Sequence, residues 1–423
     1  MFQESDERPG VFGSLRDLRR HLTLAAVGGG IVAWFFGATK ALILLDIATK
    51  NNLDPGRTAS WIFVLYLTAG LCGLFLVLRY RQPIGMAWPI PAAVFIGNAL
   101  SHKMPVEEVF GAFVLVGGIV VILGASGLVS RVMKLCPAPI MMGMVAGVFI
   151  KFGLNIIRPV ADENPRMVWI WLVTFGAFVV FNLMRRISDR FPATLAALLA
   201  GVVAVAAFGQ ARFDAFTLSL PALRFQDVAF SMRGVLELTI PTVLTIIGAN
   251  NMQAFGVMMA QDYAPPVGPV TTTGGVATIV NAFFGASTSS VAGPTTALLA
   301  DPSAGPKEGR YAAAFVNAVL WILFAFCATA VVAITAVVPK AFIEMVAGLA
   351  MLGVLVSSFG GAFGGKHRIG ALFALLIADW NGVLWGIGAP FWALVGGVIL
   401  SRLFEPADFA TEGSGKPAAV SFR

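Results

Sequence analysis

Charged side chains are scarce in this sequence: they make up 12% of its 423 residues, about half the share typical of soluble domains. Apolar residues replace them, at 58%, in runs of span length that recur from residue 22 to residue 405. That balance excludes an ordinary soluble domain and points to an integral membrane protein. Cysteine is nearly absent: Cys72, Cys136 and Cys327 fall inside apolar runs without metal-ligand spacing. They are expected to be buried thiols, with no metal and no cofactor implied. Histidine is as rare, and His21, His102 and His367 read as loop residues, so no buried histidine is expected to relay protons. The spans hold no catalytic dyad or acid cluster, which argues against a membrane enzyme. No nucleotide-binding segment is present, which excludes a primary pump. The glycine pairs Gly360-Gly361 and Gly364-Gly365 do not fit a phosphate loop and read as helix-packing contacts. The N-terminal stretch has no short apolar core with a cleavage site, so no removed signal peptide is expected.

The net charge is +7, and its distribution argues against nucleic acid as a partner. With the N-terminus in the cytoplasm, basic residues such as Arg16, Arg19, Arg20, Arg79, Arg131, Lys134, Arg185, Arg186 and Arg310 fall on the cytoplasmic side. They outnumber those on the far side roughly two to one, which places both termini inside a multi-pass cytoplasmic (inner) membrane protein. A polar leader over 1–21, expected as an interfacial helix, precedes a first repeat over 22–209. A connector over 210–232, with alternating Phe216, Leu218 and Leu220, suggests a short strand outside the membrane. A second repeat over 233–405 and a small polar tail over 406–423, expected to be disordered, complete the plan.

The spans count to fourteen, seven in each half, and two of them are too short and too interrupted to cross. One is 85–100, GMAWPIPAAVFIGNAL, and the other is 285–300, GASTSSVAGPTTALLA. Short, broken segments at matching places in two halves mark a transporter with a midplane binding site. The same sequence offset relates Met144-Val145-Ala146-Gly147 to Met345-Val346-Ala347-Gly348, a trace of duplication. An odd number of segments per half makes the repeats inverted. The fold class is therefore all-α membrane protein, two inverted seven-segment repeats, with segments 3 and 10 as broken half-helices.

Half-helices that end at the midplane leave unpaired N–H groups and about half a positive charge at each N-terminus, a site for an anion or a dipole. Beside them stand the hydroxyls of Ser287, Thr288, Ser289 and Ser290 and the residues Trp88, Pro89 and Ile90; Trp88 and Met86 are candidates for an apolar wall against a ring. The bland alternative is that the small residues only let helices approach. Asn250 and Asn251, within Gly248–Gln253, need partners mid-span and read either as ligands for a carboxylate or polar ring or as interhelical glue. An ionisable group inside a span is a functional candidate by default. Lys40 is one, either an attractor for an anionic substrate or a partner for Asp46; Lys151 lies near enough to a span end to snorkel. Asp46, Glu237 and Asp379 are proton-coupling candidates, with helix-end solvation as the competing account, which also covers Glu344.

Several of these stretches together are distinctive. Arg81-Gln82-Pro83-Ile84 leads into Ala87-Trp88 and Pro91; Gly248–Gln253, Ala347-Gly348-Leu349-Ala350 and Gly386-Ile387-Gly388-Ala389-Pro390-Phe391-Trp392 follow. On these residues the chain resembles the benzoate/proton symporter (BenE) family over nearly its whole length. More distantly it is similar to the nucleobase–ascorbate and sulfate permeases. The resemblance implies proton-coupled uptake of an aromatic carboxylate, with the substrate between segments 3 and 10 and with segments 1 and 8 nearby. It also implies a core and a gate domain, elevator-type alternating access, and a homodimer formed through the gate. Where the family pattern has a glycine pair and a histidine in segment 10, this chain reads Ser289-Ser290-Val291, and Lys40 stands where a small residue is expected; an organic anion paired with Lys40 fits the change. Two readings remain beside it: a carrier of a nucleobase-like or other small organic solute, and an anion channel, for which the spans lack repeated charged rings.

Overall fold

A computed structural model describes residues 10–129, 137–161, 164–184, 193–210, 220–385 and 387–412. Among the described residues the regular structure is helical, apart from two short two-stranded ladders. Among the described residues seven helical stretches are long and apolar enough to cross a membrane, in keeping with an all-α membrane protein. They are joined by shorter apolar helices, among them Ile90–Ser101, Ala193–Ala207 and Ala389–Phe404.

In chain order, α1 (Val11–His21) leads into α2 (Leu24–Ala38), α3 (Ala41–Lys50) and α4 (Pro55–Tyr80). Strand β1 (Met86–Ala87) precedes the half-helix α5 (Ile90–Ser101), followed by α6 (Val106–Ser126), α7 (Ala138–Asn155), α8 (Pro165–Met184) and α9 (Ala193–Ala207). The next span, α10 (Met232–Met259), contains two wide π turns, at Val235–Thr239 and Ile246–Asn251. Then come α11 (Val267–Phe283), β2 (Ser290–Val291), the half-helix α12 (Gly293–Ala300), α13 (Tyr311–Ala325), α14 (Ala328–Val337) and α15 (Lys340–Phe363). Helix α16 (Arg368–Trp380), the hairpin of β3 (Val383–Leu384) and β4 (Ile387–Gly388), α17 (Ala389–Phe404) and α18 (Pro406–Glu412) end the described chain.

These helices sort into two packed groups. In one, α6 lies along α11, and α13 along α4 and α2, with α12 against the end of α10. In the other, α7 is flanked by α15 and α16, α16 by α17, and α8 by α9. Small residues set the close crossings, as expected where lipid gives helices no hydrophobic reason to associate. A side chain at Gly143 or Gly147 would strike the backbone carbonyl of Ala371 or Leu375 across the α7–α16 contact. The same holds for Gly117 and Gly275 where α6 meets α11.

The two interrupted stretches meet. Met86 pairs with Val291 and Ala87 with Ser290 in an antiparallel ladder, extended by Ala292 N–H donating to the Gly85 carbonyl at 2.9 Å. Each strand runs into its half-helix at a proline in the first turn, Pro91 and Pro294, where the missing N–H costs no intrahelical bond.

Several sequence expectations need correction. The first span is broken at Thr39-Lys40: Lys40 N–H donates to Gly37 at 3.1 Å, a tight turn, and the Tyr66 hydroxyl donates to the same carbonyl at 3.4 Å. Residues 311–338 divide at Phe326-Cys327 between α13 and α14. Described residues 220–231 of the connector form no strand; Phe216 and Leu218 lie outside the described residues. The tail is not all loose. Its start folds as α18, where Asp408 accepts from His367 N–H at 2.8 Å and the Phe409 ring packs on the His367 imidazole at 4.5 Å. Cys72 is only half-buried, packed at the edge of a core cluster, and Cys327 is exposed at the turn between α13 and α14; Cys136 lies outside the described residues.

Candidate functional site

The crossing of the half-helices creates a cavity of about 210 Å³. Phe36 and Lys40 reach it from the break between α2 and α3. Trp88, Pro89, Ile90 and Pro91 arrive with the start of α5, and Ser290, Ala292 and Pro294 with the start of α12. Asn250 and Gln253 enter from α10, Met142 and Val145 from α7, and Gly353, Val354, Ser357 and Ser358 from α15. The cavity therefore lies between the two helix groups, with the N-terminal turns of both half-helices in its wall.

Local structure explains how each polar group gets there. Thr39 Oγ1 donates to the Phe36 carbonyl at 3.0 Å, which stabilises the turn that presents Lys40. The lysine is 7% exposed, with Nζ 4.2 Å from the Phe36 ring centroid. The π turn at Ile246–Asn251 widens α10 where Asn250 faces the cavity, a recurrent device at functional positions; Asn250 Nδ2 is 3.5 Å from the Thr245 carbonyl. Gln253 packs directly on Gly293, whose missing side chain leaves room for the amide at the start of α12. Trp88 stands edge-on to Tyr66, centroids 6.5 Å apart.

Of the residues singled out from sequence, Lys40, Trp88, Pro89, Ile90, Asn250 and Ser290 come together on this wall. Asn251, Ser287, Thr288 and Ser289 do not reach it. Asn251 Nδ2 donates to Thr271 Oγ1 at 3.3 Å. Asn281 Nδ2 donates to the Ser287 carbonyl at 2.8 Å and to Ser289 Oγ at 3.1 Å, and Ser289 N–H donates to Thr278 Oγ1 at 3.0 Å. The serine run is thus bound to α11, and Met86 is buried in the ladder behind the wall. Gln253, Phe36, Ser357 and Ser358 were not anticipated. Gln253 was visible as the last amide of Gly248–Gln253, whereas nothing in the apolar run of α15 distinguishes the phase that brings its exposed Ser357 and buried Ser358 to the cavity.

The acidic candidates are dispersed. Asp46 does not pair with Lys40: its carboxylate, 1% exposed, accepts from Lys50 at 2.9 Å one helical turn on, and Lys50 is also 3.7 Å from Glu344. Glu237 is 2% exposed and held by two partners. Arg233 Nε donates to it at 3.1 Å, and His102 Nδ1 lies 3.3 Å away. Arg233 Nη2 also donates to the His102 carbonyl at 3.1 Å. His102 Nε2 is 3.1 Å from the Asn381 carbonyl, so this cluster bridges the two helix groups. Asp379 is half-buried near the end of α16. The histidines are not simple loop residues: His21 ends α1, and His367 is buried with Nδ1 2.9 Å from Ser401 Oγ.

Comparison with known proteins agrees with this arrangement. The family described as benzoate membrane transport protein (BenE) matches residues 20–403. The inner membrane protein YdcO of Escherichia coli (strain K12) is 28% identical over 376 residues, spanning 87% of this chain and 93% of that protein. The benzoate membrane transport protein of Acinetobacter baylyi is 25% identical over 390 residues, 91% and 96% of the two chains. Among solved structures, the transmembrane domain of a cyanobacterium bicarbonate transporter, BicA, superposes with a TM-score of 0.60 at 14% identity, over 90% of this chain and 98% of that one. The murine Solute Carrier 26 family member A9 anion transporter, in its inward-facing state, gives 0.61 at 13%, over 95% and 74%. At such identities these two likenesses speak for the fold.

Proposed function

This chain belongs to the benzoate membrane transport (BenE) family, and from that premise we propose that it is a secondary transporter, taking up an aromatic carboxylate together with protons. One observation carries the reading. The cavity wall combines two half-helix N-terminal turns with a buried lysine, and among the described residues no carboxylate lies within ion-pair distance of Lys40. A buried charge without a counter-charge is costly, and a bound carboxylate supplies that counter-charge. Its ring lies against Phe36 and Trp88, and Asn250, Gln253 and Ser357 contact its polar edge. Asn251, Ser287, Thr288 and Ser289 act one layer behind, holding the site's backbone in place.

The reading extends to the whole cycle. The helix group built on α2, α4, α6, α11, α12 and α13 is the moving core, and the group around α7 and α15 is the gate. The halves 22–209 and 233–405 are inverted repeats joined by 210–232, with the leader 1–21 and tail 406–423 in the cytoplasm and a homodimer formed through the gate. Interruptions in the first segment of each half, at Thr39-Lys40 and Ile246–Asn251, support the repeat. Asp46, Glu237 and Asp379 are the proton carriers to test, Glu237 first. Protonating it removes the charge that holds Arg233 and His102, and His102 is the residue that reaches Asn381 across the seam. Proton coupling offsets the work of importing an anion against an interior-negative potential, about 2.3 kcal/mol per charge per 100 mV.

The test is uptake of labelled benzoate into proteoliposomes under an imposed inward proton gradient, with Lys40→Ala beside the unaltered protein. Accumulation above equilibrium, abolished by a protonophore and lowered at least about tenfold in the variant, is the expected outcome; a tenfold change is about 1.4 kcal/mol. Folded protein that never accumulates benzoate would refute the reading. Uphill accumulation also separates a carrier from an anion channel. The amides of Asn250 and Gln253 on the wall favour a second reading, a neutral polar ring of nucleobase type. Competition by uracil, with no dependence on Lys40, would establish it instead.

A further inference from the structure

The stripe of α5 and α7 that lines the central cavity continues past it. Ile90 and Pro91 of α5 face Met142 and Val145 of α7 in the first cavity. One turn on, Val94, Gly97 and Asn98 face Val148, Phe152 and Asn155 around a second cavity of about 280 Å³. Its rim carries three cations, Lys50, Lys151 and Arg158, against the single carboxylate of Asp46. Asp46 is already engaged by Lys50. Among the described residues neither Lys151 nor Arg158 has a carboxylate partner, and both are exposed. Phe152, 5.6 Å from Lys50 Nζ, adds an apolar floor. Buried valines line both cavities along this seam, Val145 the first and Val94 and Val148 the second, and we take them as the apolar partition.

We propose that this second cavity is an antechamber that holds a carboxylate with an apolar body before it passes the valine partition along the α5–α7 seam. Lys151 and Arg158 provide the charge selection. The inference rests on the carboxylate-transport reading for its ligand class, but the geometry also predicts anion preference without any transport. Unpaired cations rimming a recess with low-dielectric walls focus a field into it and raise the local concentration of small anions about tenfold or more.

The experiment uses the full chain in nanodiscs, with Cys72, Cys136 and Cys327 replaced by serine and Ser101→Cys placed on the antechamber wall. The rate of modification by anionic sulfonatoethyl methanethiosulfonate is compared with that of its cationic trimethylammonium counterpart. The anionic reagent is expected to react about tenfold faster, with the preference collapsing as salt rises to about 1 M, where the screening length is about 3 Å. Lys151→Gln with Arg158→Gln should remove most of the preference and, in proteoliposomes, raise KM for benzoate several-fold at low salt only. Equal rates for the two reagents, or a preference insensitive to salt, overturn the proposal and make both residues headgroup anchors. If benzoate is not transported but charge-selective, salt-sensitive labelling persists, the function reading fails while the anion antechamber stands.

Discussion

A lysine near the centre of a span costs about 2.5–3.5 kcal/mol on the more lenient insertion scales. Lys40 recovers part of that from the Phe36 ring at 4.2 Å, where a cation–π contact gives about 0.5–2 kcal/mol. The balance is unfavourable until an anion arrives. Replacing buried charge with a hydrophobic group of similar volume often stabilises, so Lys40→Met should raise the melting temperature of the ligand-free protein while abolishing benzoate uptake. A lower melting temperature would make Lys40 a structural charge. Gln253→Ala removes one hydrogen bond to a charged ligand, worth about 1.5–3 kcal/mol, and should raise KM about tenfold or more; an unchanged KM would take Gln253 off the site. Lys40 was legible in the sequence because a charge stands out against apolar neighbours. Ser357 and Ser358 were not, since a helix that packs on several sides gives no single polar face by which to fix its phase.

At the scale of elements, prolines made the half-helices readable: Pro91 and Pro294 mark where each starts. The break at Thr39-Lys40 has no such local signal. It is set from a distance, by the Tyr66 hydroxyl on the Gly37 carbonyl and by Trp321, which leaves no space for a side chain at Gly37. The serine run misled for a related reason. Consecutive hydroxyls announce that something polar happens, and here most of it is bracing by Asn281 and Thr278. Asn281→Ala strands the Ser287 carbonyl and the Ser289 hydroxyl in a buried place, at about 1–3 kcal/mol each. It should lower the melting temperature by several degrees, and no change would mean that the run needs no brace. Helix α1 offers a pH test. The Arg81 guanidinium, bonded to Asp17 at 2.7 Å, holds that carboxyl below the usual range. A depressed folded value means that the anchorage is present above the free carboxyl's pKa, about 3.9, and is lost as pH falls below it. Hydrogen-exchange protection of residues 11–21 should therefore drop on going from pH 6 to about pH 3, with no such step in Asp17→Asn.

For the molecule as a whole, the question is whether the two helix groups move as units. Within each group the small-residue crossings are close, which resists internal rearrangement. Between the groups some contacts are polar: where α3, continuing α2 past the Thr39-Lys40 break, meets α15, Lys50 lies 3.7 Å from Glu344, and His102 of the Glu237 cluster reaches the Asn381 carbonyl at 3.1 Å. The Lys50–Glu344 pair, whose lysine is 36% exposed, can part and re-form at little cost, since exposed pairs contribute about 0–1 kcal/mol. The buried Glu237 cluster stays whole when only the His102–Asn381 contact breaks. A packed glycine crossing cannot part in this way. A covalent tie across the seam should then stop transport, and one inside a group should not. Lys50→Cys with Glu344→Cys joins α3 to α15, whereas Glu108→Cys with Ser231→Cys joins two residues already hydrogen-bonded within the first group. Oxidation of the first pair is expected to abolish benzoate uptake and reduction to restore it, while the second pair transports at nearly the same rate in both states. Undiminished uptake through the locked α3–α15 seam would mean that the groups do not slide past one another there, and that access to the cavity opens by local movement of the α5–α7 lining instead.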